Sequence, residues 1–306
     1  MTKRQITNVA ASVHRRLLNI ARGSDRPFND LVQLYAAERW LYRLGQSPYG
    51  ERFILKGALM LLVWKAPVVR PTRDIDLLGR VSNELRSVRS VITEICRTPV
   101  QDDGLVFGAN GVTTERIAED ADYAGVRAKF RGMLDTTRIA MQVDIGFSDV
   151  ITPGATEISY PAILDQPRAQ LHAYNRETVV AEKLEAMVSL GELNSRMKDF
   201  FDVWLLARNF DFEGGTLSEA VRRTFRQRRT NVDAELSCLA ETFGADVAKG
   251  VQWEAFIRRS RLPDTRAAFS HVVQQVRMFL RPVVSTLAGG REFEMHWPAG
   301  GPWQPR

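Results

Sequence analysis

Two aspartates, Asp74 and Asp76, lie two positions apart and alternate with the apolar residues Ile75 and Leu77. This alternation predicts a β-strand over residues 73–78, on which both carboxylates share one face. Two carboxylates this close repel each other unless a cation lies between them, and Mg²⁺ prefers carboxylate and phosphate oxygens. The pattern favours metal-dependent phosphoryl or nucleotidyl transfer, although a solvated strand face would show the same spacing.

Two further features could complete such a site. Asp144 lies in an apolar run that predicts a strand over residues 137–147, and an ionised acid there is costly to bury without a partner. It either joins the other two acids or faces solvent at the strand end. Gly57 and Ala58 follow the apolar pair Ile54 and Leu55 and open a predicted helix, where backbone N–H groups can hold triphosphate oxygens. A simple turn explains the same residues.

Charged residues also mark two predicted helices further along the chain. Lys183 flanks the apolar stripe of residues 180–188, where it could reach a phosphate or extend into water. In the segment 194–206, Asp199 and Asp202 lie three positions apart, on one helix face, close to Lys198. Ordinary salt bridges would account for this second group equally well.

Six segments in this order resemble the AbiEii/AbiGii toxin family of nucleotidyltransferases, which includes the MenT-type toxins and belongs to the DNA polymerase β superfamily. The segments are residues 55–58, 72–76, 123–127, 143–147, 177–183 and 196–202. The resemblance implies an α+β protein with a polymerase-β-type nucleotidyltransferase mixed sheet domain, N-terminal helices and a helical C-terminal domain. We therefore expect a nucleotidyltransferase that uses an NTP together with Mg²⁺ or Mn²⁺.

The resemblance also implies roles for individual residues. The metal-binding acids would be Asp74 and Asp76, with Asp144 at the position of the third carboxylate and as the candidate to help deprotonate the acceptor hydroxyl. Lys183 and a late acid, Asp202 or alternatively Asp199, would complete the catalytic set. The nucleotide-binding residues would be Lys56, Gly57, Ala58, Thr72, Arg73 and Lys183. Ala58 departs from the superfamily's usual Gly-Gly or Gly-Ser turn, so backbone amides and Lys56 would have to contact the phosphate.

Apolar spacing and turn residues predict how the chain is organised. We expect N-terminal helices over residues 1–50, with one helix at 2–22 and a second capped by Asn29 or Asp30, then a nucleotidyltransferase core at 51–170. The core would contain an irregular connection at 152–168. A helical domain would span 171–288, carrying Lys183 and the segment from Lys198 to Asp202, and a tail that is loose at its end would span 289–306.

The composition is that of a globular protein with a basic balance. The 306 residues are 44% hydrophobic and 25% charged, with a formal net charge of +6. The apolar run at residues 59–64 is far too short to cross a bilayer. Two cysteines and four histidines without metal-ligand spacing argue against zinc chemistry and favour a reducing compartment. We expect a cytoplasmic protein with no membrane partner.

An arginine cluster suggests what accepts the nucleotide. Arg222, Arg223, Arg226, Arg228 and Arg229 fall within eight residues, a pattern that suits contacts with an RNA backbone but also a solvated helix face. The resemblance points to the 3′ end of tRNA, to a toxin that inhibits translation, and to a cognate antitoxin encoded nearby in a type IV system. The alternatives are nucleotidylation of a protein target and a non-catalytic nucleotide- or RNA-binding module.

Overall fold

The structure, a computed structural model, describes residues 8–24, 26–68, 70–120, 123–232, 236–262 and 267–306. The chain divides into two units. The first comprises Met1–Val63, Pro71–Phe147 and Thr156–Ala173, and the second comprises Trp64–Arg70, Ser148–Ala155 and Tyr174–Arg306. Asp74, Asp76 and Asp144 belong to the first unit, whereas Lys183 and Asp202 belong to the second.

A mixed sheet forms the centre of the first unit. Its strands are β1 (Phe53–Lys56), β2 (Asp74–Gly79), β3 (Leu105–Phe107), β4 (Thr113–Asp120), β5 (Tyr123–Leu134), β6 (Thr137–Gly146), β7 (Thr156–Ser159) and β8 (Gln170–Ala173). The order is β3-β5-β6-β2-β1-β8-β7, with β4 also paired to β5. The β2–β6 and β1–β8 pairs are parallel and the others antiparallel. The expected mixed sheet is confirmed.

Helices cover one face of this sheet. The helices of the first unit are α1 (Val9–Arg22), α2 (Phe28–Gln46), α3 (Met60–Val63) and α4 (Leu85–Arg97). Trp40 of α2 packs on Phe130 of β5, with ring centroids 5.9 Å apart. On α4, the Leu85 carbonyl accepts a hydrogen bond from Thr114 of β4. The opposite sheet face is the one that carries the aspartates.

Several local predictions need correction. The Asx cap of the second helix is wrong, because α2 begins at Phe28 after Pro27 and has no side-chain cap; Pro27 already has the φ that a helix entry needs. The helix predicted after Gly57 is a 3₁₀ turn, Gly57–Leu59, followed by α3. The connection expected to be irregular contains β7. Residues 2–7 of the first predicted helix lie outside the described residues.

The second unit is helical, as expected. Its elements are α5 (Arg176–Leu190), α6 (Met197–Asn209), β9 (Phe212–Glu213), α7 (Gly214–Gln227), α8 (Glu241–Ala245), α9 (Val247–Arg259), α10 (Phe269–Ala288), β10 (Met295–Trp297) and β11 (Gln304–Pro305). Aromatic side chains fill its core: Phe200 and Phe201 of α6 contact Phe243, Trp253 and Phe269. The expectation of a loose C-terminal tail is wrong. β10 pairs with β9 and β11, and Trp303 stacks on Phe279 at 5.7 Å.

Within the described parts of the chain, no helix is both long enough and apolar enough to cross a membrane.

Candidate active site

A row of four charged residues crosses the open face of the sheet in the first unit. Asp76 of β2 is the register partner of Asp144 on the parallel strand β6. Lys56 of β1 lies opposite Asp76 on its other side, and Arg127 of β5 lies opposite Asp144. Register partners on neighbouring strands share a face. Across the sheet the two acids therefore lie side by side, with one cation on the outer side of each. Strand pairing thus brings together residues that are widely separated in sequence.

Asp74 lies on the same face, one row away. It is the register partner of Gln142 on β6, which in turn pairs with Lys129 on β5. Asp74 and Asp76 are partly exposed while Ile75 between them is fully buried. The prediction that the two aspartates share one face of a strand is therefore confirmed.

Gly57 lies directly against Asp76. It follows β1 with φ +76°, in the left-handed region that favours glycine. A Cβ atom at this position would be 2.0 Å from Asp76 Oδ2. Only a residue without a side chain lets the turn approach this carboxylate so closely. Ala58 is 2% exposed, and its methyl side chain has no polar group to offer a ligand.

Asp144 occupies the predicted place but is engaged with an arginine. Arg127 donates from Nε to Asp144 Oδ1 at 2.8 Å and from Nη2 to Oδ2 at 2.7 Å. Gln142 Nε2 also donates to Oδ2, at 3.3 Å. Sequence reasoning gave Arg127 no role beyond its place in a matched segment. Arg127 alternates with the apolar residues Val126 and Ala128, and this alternation was the signal that could have placed it on the aspartate face.

The donor set fits Mg²⁺ in part. Asp74 and Asp76 offer carboxylate oxygens on one strand face, and Mg²⁺ is commonly held by one or two carboxylates together with substrate phosphates and water. Across the described residues, no three or more His, Cys, Asp or Glu side chains are grouped to hold a metal ion. The predicted convergence of three carboxylates is thus met in strand register but not in side-chain arrangement, because both oxygens of Asp144 accept from Arg127.

The remaining predicted nucleotide-binding residues of this unit lie around the same strands. Lys56 is 6% exposed at the end of β1. Thr72 and Arg73 immediately precede β2, where Thr72 Oγ1 donates to the Asp74 carbonyl at 3.4 Å. The Arg73 side chain is exposed, and its carbonyl accepts from Gln33 of α2. Arg73 therefore presents its charge to solvent beside the first aspartate.

A buried ion-pair network occupies the second unit. The Lys183 ammonium of α5 lies 2.9 Å from Asp199 Oδ1 and 2.8 Å from Asp202 Oδ2, both on α6. Arg70 donates to both oxygens of Asp202, at 2.9 and 3.0 Å. Arg196 Nε lies 2.6 Å from Asp199 Oδ2. The structure thus brings Lys183 together with both candidate late acids.

The charges in this network hold one another ionised. Burial opposes ionisation of Asp202, but Arg70 and Lys183 outweigh it and hold the pKa of Asp202 well below its usual range. Burial likewise opposes the Lys183 ammonium, and the two aspartates overcome it, so that the pKa of Lys183 is raised. Arg70 was not predicted as a member of this cluster. Nothing in the local sequence links Arg70 to α6, which begins more than a hundred residues later at Met197.

The arginine cluster divides into exposed and buried members. Arg228 is 11% exposed at its side chain and donates to Asp149 at 2.9 Å and to Glu185 at 2.8 Å. The other four predicted RNA-binding residues are exposed: Arg222, Arg223, Arg226 and Arg229. Arg222 and Arg223 both lie near Glu219 on the same helix. Arg228 therefore ties elements of the second unit together instead of contributing to a basic surface.

Comparison with known proteins identifies the class. Residues 39–275 match the family described as "Nucleotidyl transferase AbiEii toxin, Type IV TA system". The match includes Asp74, Asp76, Asp144, Lys183 and Asp202. The chain belongs to this family and is a nucleotidyltransferase.

Other comparisons are more distant. Curated proteins give no significant match. A crystal structure of a proposed nucleotidyltransferase from H. pylori superposes with a TM-score of 0.49 at 14% identity, covering 88% of this chain and 100% of that one. A crystal structure of JHP933 from Helicobacter pylori gives a TM-score of 0.43 at 13% identity, covering 94% of each chain. Similarity this low says nothing about the chemistry of this chain.

Proposed function

We propose that this protein transfers a nucleoside monophosphate from an NTP to the 3′ end of tRNA and thereby inhibits translation as the toxin of a type IV toxin–antitoxin system. The observation that carries the proposal is the pair Asp74 and Asp76 on one strand face, with the Gly57 turn directly against Asp76. Family membership supplies the reaction class. The choice of tRNA as acceptor rests on the resemblance and on the exposed basic residues.

In this proposal Asp74 and Asp76 hold Mg²⁺, or Mn²⁺, together with oxygens of the NTP. The bound ion would stabilise the charge that develops on the attacking and leaving oxygens. Lys56 and the backbone of the Gly57 turn are placed beside the Asp76 carboxylate and would contact the triphosphate. Thr72 and Arg73 would contribute further polar contacts, because both adjoin Asp74 in the chain.

The reaction is an in-line displacement. The 3′-hydroxyl oxygen of the acceptor forms a bond to the α-phosphorus, the bond from that phosphorus to the bridging oxygen breaks, and pyrophosphate leaves. The hydroxyl proton passes to a base. Asp144 was the sequence candidate for this base, yet both its oxygens accept from Arg127. In the described arrangement Asp144 instead orients the Arg127 guanidinium, which can offset negative charge on the triphosphate.

Lys183 is proposed to bind a nucleotide phosphate, as the family pattern implies. Its pairing with Asp199 and Asp202 supports this role in two ways. It keeps the lysine charged in a buried position, and it fixes the direction of a flexible side chain. Asp202 is the stronger candidate for the functional late acid, since it alone of the two also accepts both donors of Arg70.

The remaining parts of the proposal concern partners and location. A toxin of this family implies an antitoxin, which we propose to be encoded nearby. Asp74, Asp76 and the proposed RNA acceptor all require a compartment containing NTPs, Mg²⁺ and tRNA. We therefore propose a cytoplasmic site of action.

The test is incorporation of labelled nucleotide into RNA. The purified protein is incubated with total tRNA, Mg²⁺ and each α-labelled NTP in turn, beside the Asp74→Asn/Asp76→Asn variant. Label in tRNA with the wild type and none with the variant is the expected result. Label on protein and none on RNA would move the conclusion to protein nucleotidylation. No label on any acceptor with any NTP would refute the transferase proposal.

A further inference from the structure

Three exposed basic residues lie on the same sheet face as the aspartates. Lys129 and Arg131 lie two positions apart on β5, and Arg138 lies near the start of β6. The register pair of Met133 with Arg138 places Arg138 beside the next outward position of β5. All three are exposed. We refer to Lys129, Arg131 and Arg138 as the sheet-face strip.

Strand register fixes how far this strip lies from the acids. Lys129 and Asp74 occupy one row, separated by Gln142. Two strand spacings amount to about 10 Å, and each second residue along a strand adds about 7 Å. The strip therefore begins at a distance of about one nucleotide from Asp74 and extends away from it along β5. A line of cations with this repeat can follow the phosphates of an extended nucleic acid strand.

A cavity adjoins the strip at the sheet edge where both β3 and β4 pair with β5. Its volume is about 710 Å³, and its lining includes Arg97, Lys129, Arg131 and the turn Ala109–Gly111. Arg97 donates to Asn110 of that turn at 2.8 Å. Side-chain cations and backbone polar groups thus line a recess of the size that a nucleotide needs.

The side-chain contacts of the sheet-face strip do not give it a role in stabilising the fold. Lys129 pairs with Glu115, but their side chains are 49% and 51% exposed, and an exposed pair of this kind is weak enough for a phosphate to displace. Within the described residues, the side chains of Arg131 and Arg138 have no ion-pair partner. The core of this unit lies on the other face, under α2 and α4.

We propose that the sheet-face strip binds the backbone phosphates of the acceptor RNA and directs its 3′ end toward Asp74 and Asp76. This inference rests on the proposed function and adds a surface that differs from the arginines of α7. The strip would supply affinity without reading sequence, as phosphate contacts do. The adjoining cavity would receive a nucleotide of the same strand.

The experiment compares two triple variants of the full chain. The strip variant is Lys129→Gln/Arg131→Gln/Arg138→Gln. The control variant removes three charges from the helix side of the same unit and is Arg86→Gln/Arg89→Gln/Arg116→Gln. All six residues are exposed, and Arg116 pairs in register with Val126, a core-face residue. Melting temperatures show whether both variants fold like the wild type.

Affinity for tRNA is measured by fluorescence anisotropy between 0.05 and 1 M salt, and extension of tRNA is measured beside it. With a slope of about 0.7 per phosphate contact on a single strand, three lost contacts lower the salt slope by about 2 and the affinity at 0.1 M by about 100-fold. We expect this change in the strip variant and little change in the control. The KM for tRNA should rise while extension of a trinucleotide acceptor changes much less.

Each result decides between the inference and the proposed function. If the wild type extends tRNA and the strip variant binds it like the control variant, the inference is wrong and the proposed function stands. An equal loss in both triple variants would also overturn the inference, because it would reflect net charge alone. If the wild type neither binds nor extends any RNA, both fail, and label transferred to protein would identify the other acceptor class.

Discussion

Substitution of Gly57 by alanine tests the geometry of the aspartate face directly. The new Cβ would be 2.0 Å from Asp76 Oδ2 and 2.7 Å from Cγ, whereas ordinary contacts begin at 3.4 Å. The carboxylate would have to move by more than an ångström. A misplacement of about 1 Å at a reacting centre can cost about 100-fold in rate. The positive φ adds a backbone cost of about 1–2 kcal/mol.

We therefore expect Gly57→Ala to lower kcat/KM about 100-fold while the melting temperature falls by only a few degrees. The assay is label transfer from the NTP, beside thermal unfolding and Mn²⁺ binding by calorimetry. Gly250→Ala of α9 is the control, because a Cβ there has no atom within 4 Å, its φ is not positive, and it lies outside the residues proposed to bind metal, nucleotide or RNA. Wild-type activity and metal affinity in Gly57→Ala would refute the argument that Asp76 needs this glycine.

Three further predictions follow from contacts of charged groups. Arg127→Gln frees both oxygens of Asp144 from two charge-assisted hydrogen bonds, each worth about 1.5–3 kcal/mol. We therefore expect Mn²⁺ to bind at least about 10-fold more tightly without nucleotide, and unchanged or weaker binding in calorimetry would contradict this. Burial raises the pKa of Glu38 from 4.5 to about 7, so the folded state keeps a proton that the unfolded state loses, and stability should fall by up to about 3 kcal/mol between these pH values. The measurement is thermal unfolding of the wild type and Glu38→Gln across pH. A wild-type stability that does not change with pH, or the same slope in both proteins, would contradict this prediction. The pKa of Asp202 is lowered, so its contribution to folding stability is present above about pH 4 and is lost as the pH falls further. Asp202→Asn should cost about 3–5 kcal/mol of stability at pH 7. Chemical denaturation at each pH should show that this variant loses less stability on acidification than the wild type.

The sequence predicted those parts of the protein that depend on neighbours along the chain. Alternation placed Asp74 and Asp76 on one strand face, and apolar spacing identified the helices that carry Lys183 and Asp202. These features are local, because a strand or helix repeats within a few residues. The order of six short segments then gave the family, since an ordered set is far more specific than any one motif.

The rest depended on pairing between distant segments. Arg127 meets Asp144 only because β5 and β6 form a hairpin with the register that the turn at Asp135 sets. The short strand β3 and the whole of β4 carry weak signals, so their pairing with β5 and the cavity beside them were not predicted. Arg70 reaches Asp202 through the tertiary fold of the second unit. The tail is held against α10 by Trp297 and Trp303, whose ring centroids lie 4.9 and 5.7 Å from that of Phe279.

The row of Lys56, Asp76, Asp144 and Arg127 shows why pairing order matters for the chemistry. Two acids in register on adjacent strands repel each other, and here each has a cation as its partner on the next strand outward. Asp144 is held by both donors of Arg127 and can leave that pair only at a cost, whereas Asp74 and Asp76 remain together on the face that the Gly57 turn adjoins. We therefore propose that the acids divide by role, with Asp74 and Asp76 as the ligands of a hard cation and Asp144 fixing Arg127. This division makes opposite predictions for two single changes. Asp76→Asn should weaken Mn²⁺ binding, whereas Asp144→Asn should leave it almost unchanged and instead raise the KM for NTP, because Arg127 loses the carboxylate that orients it.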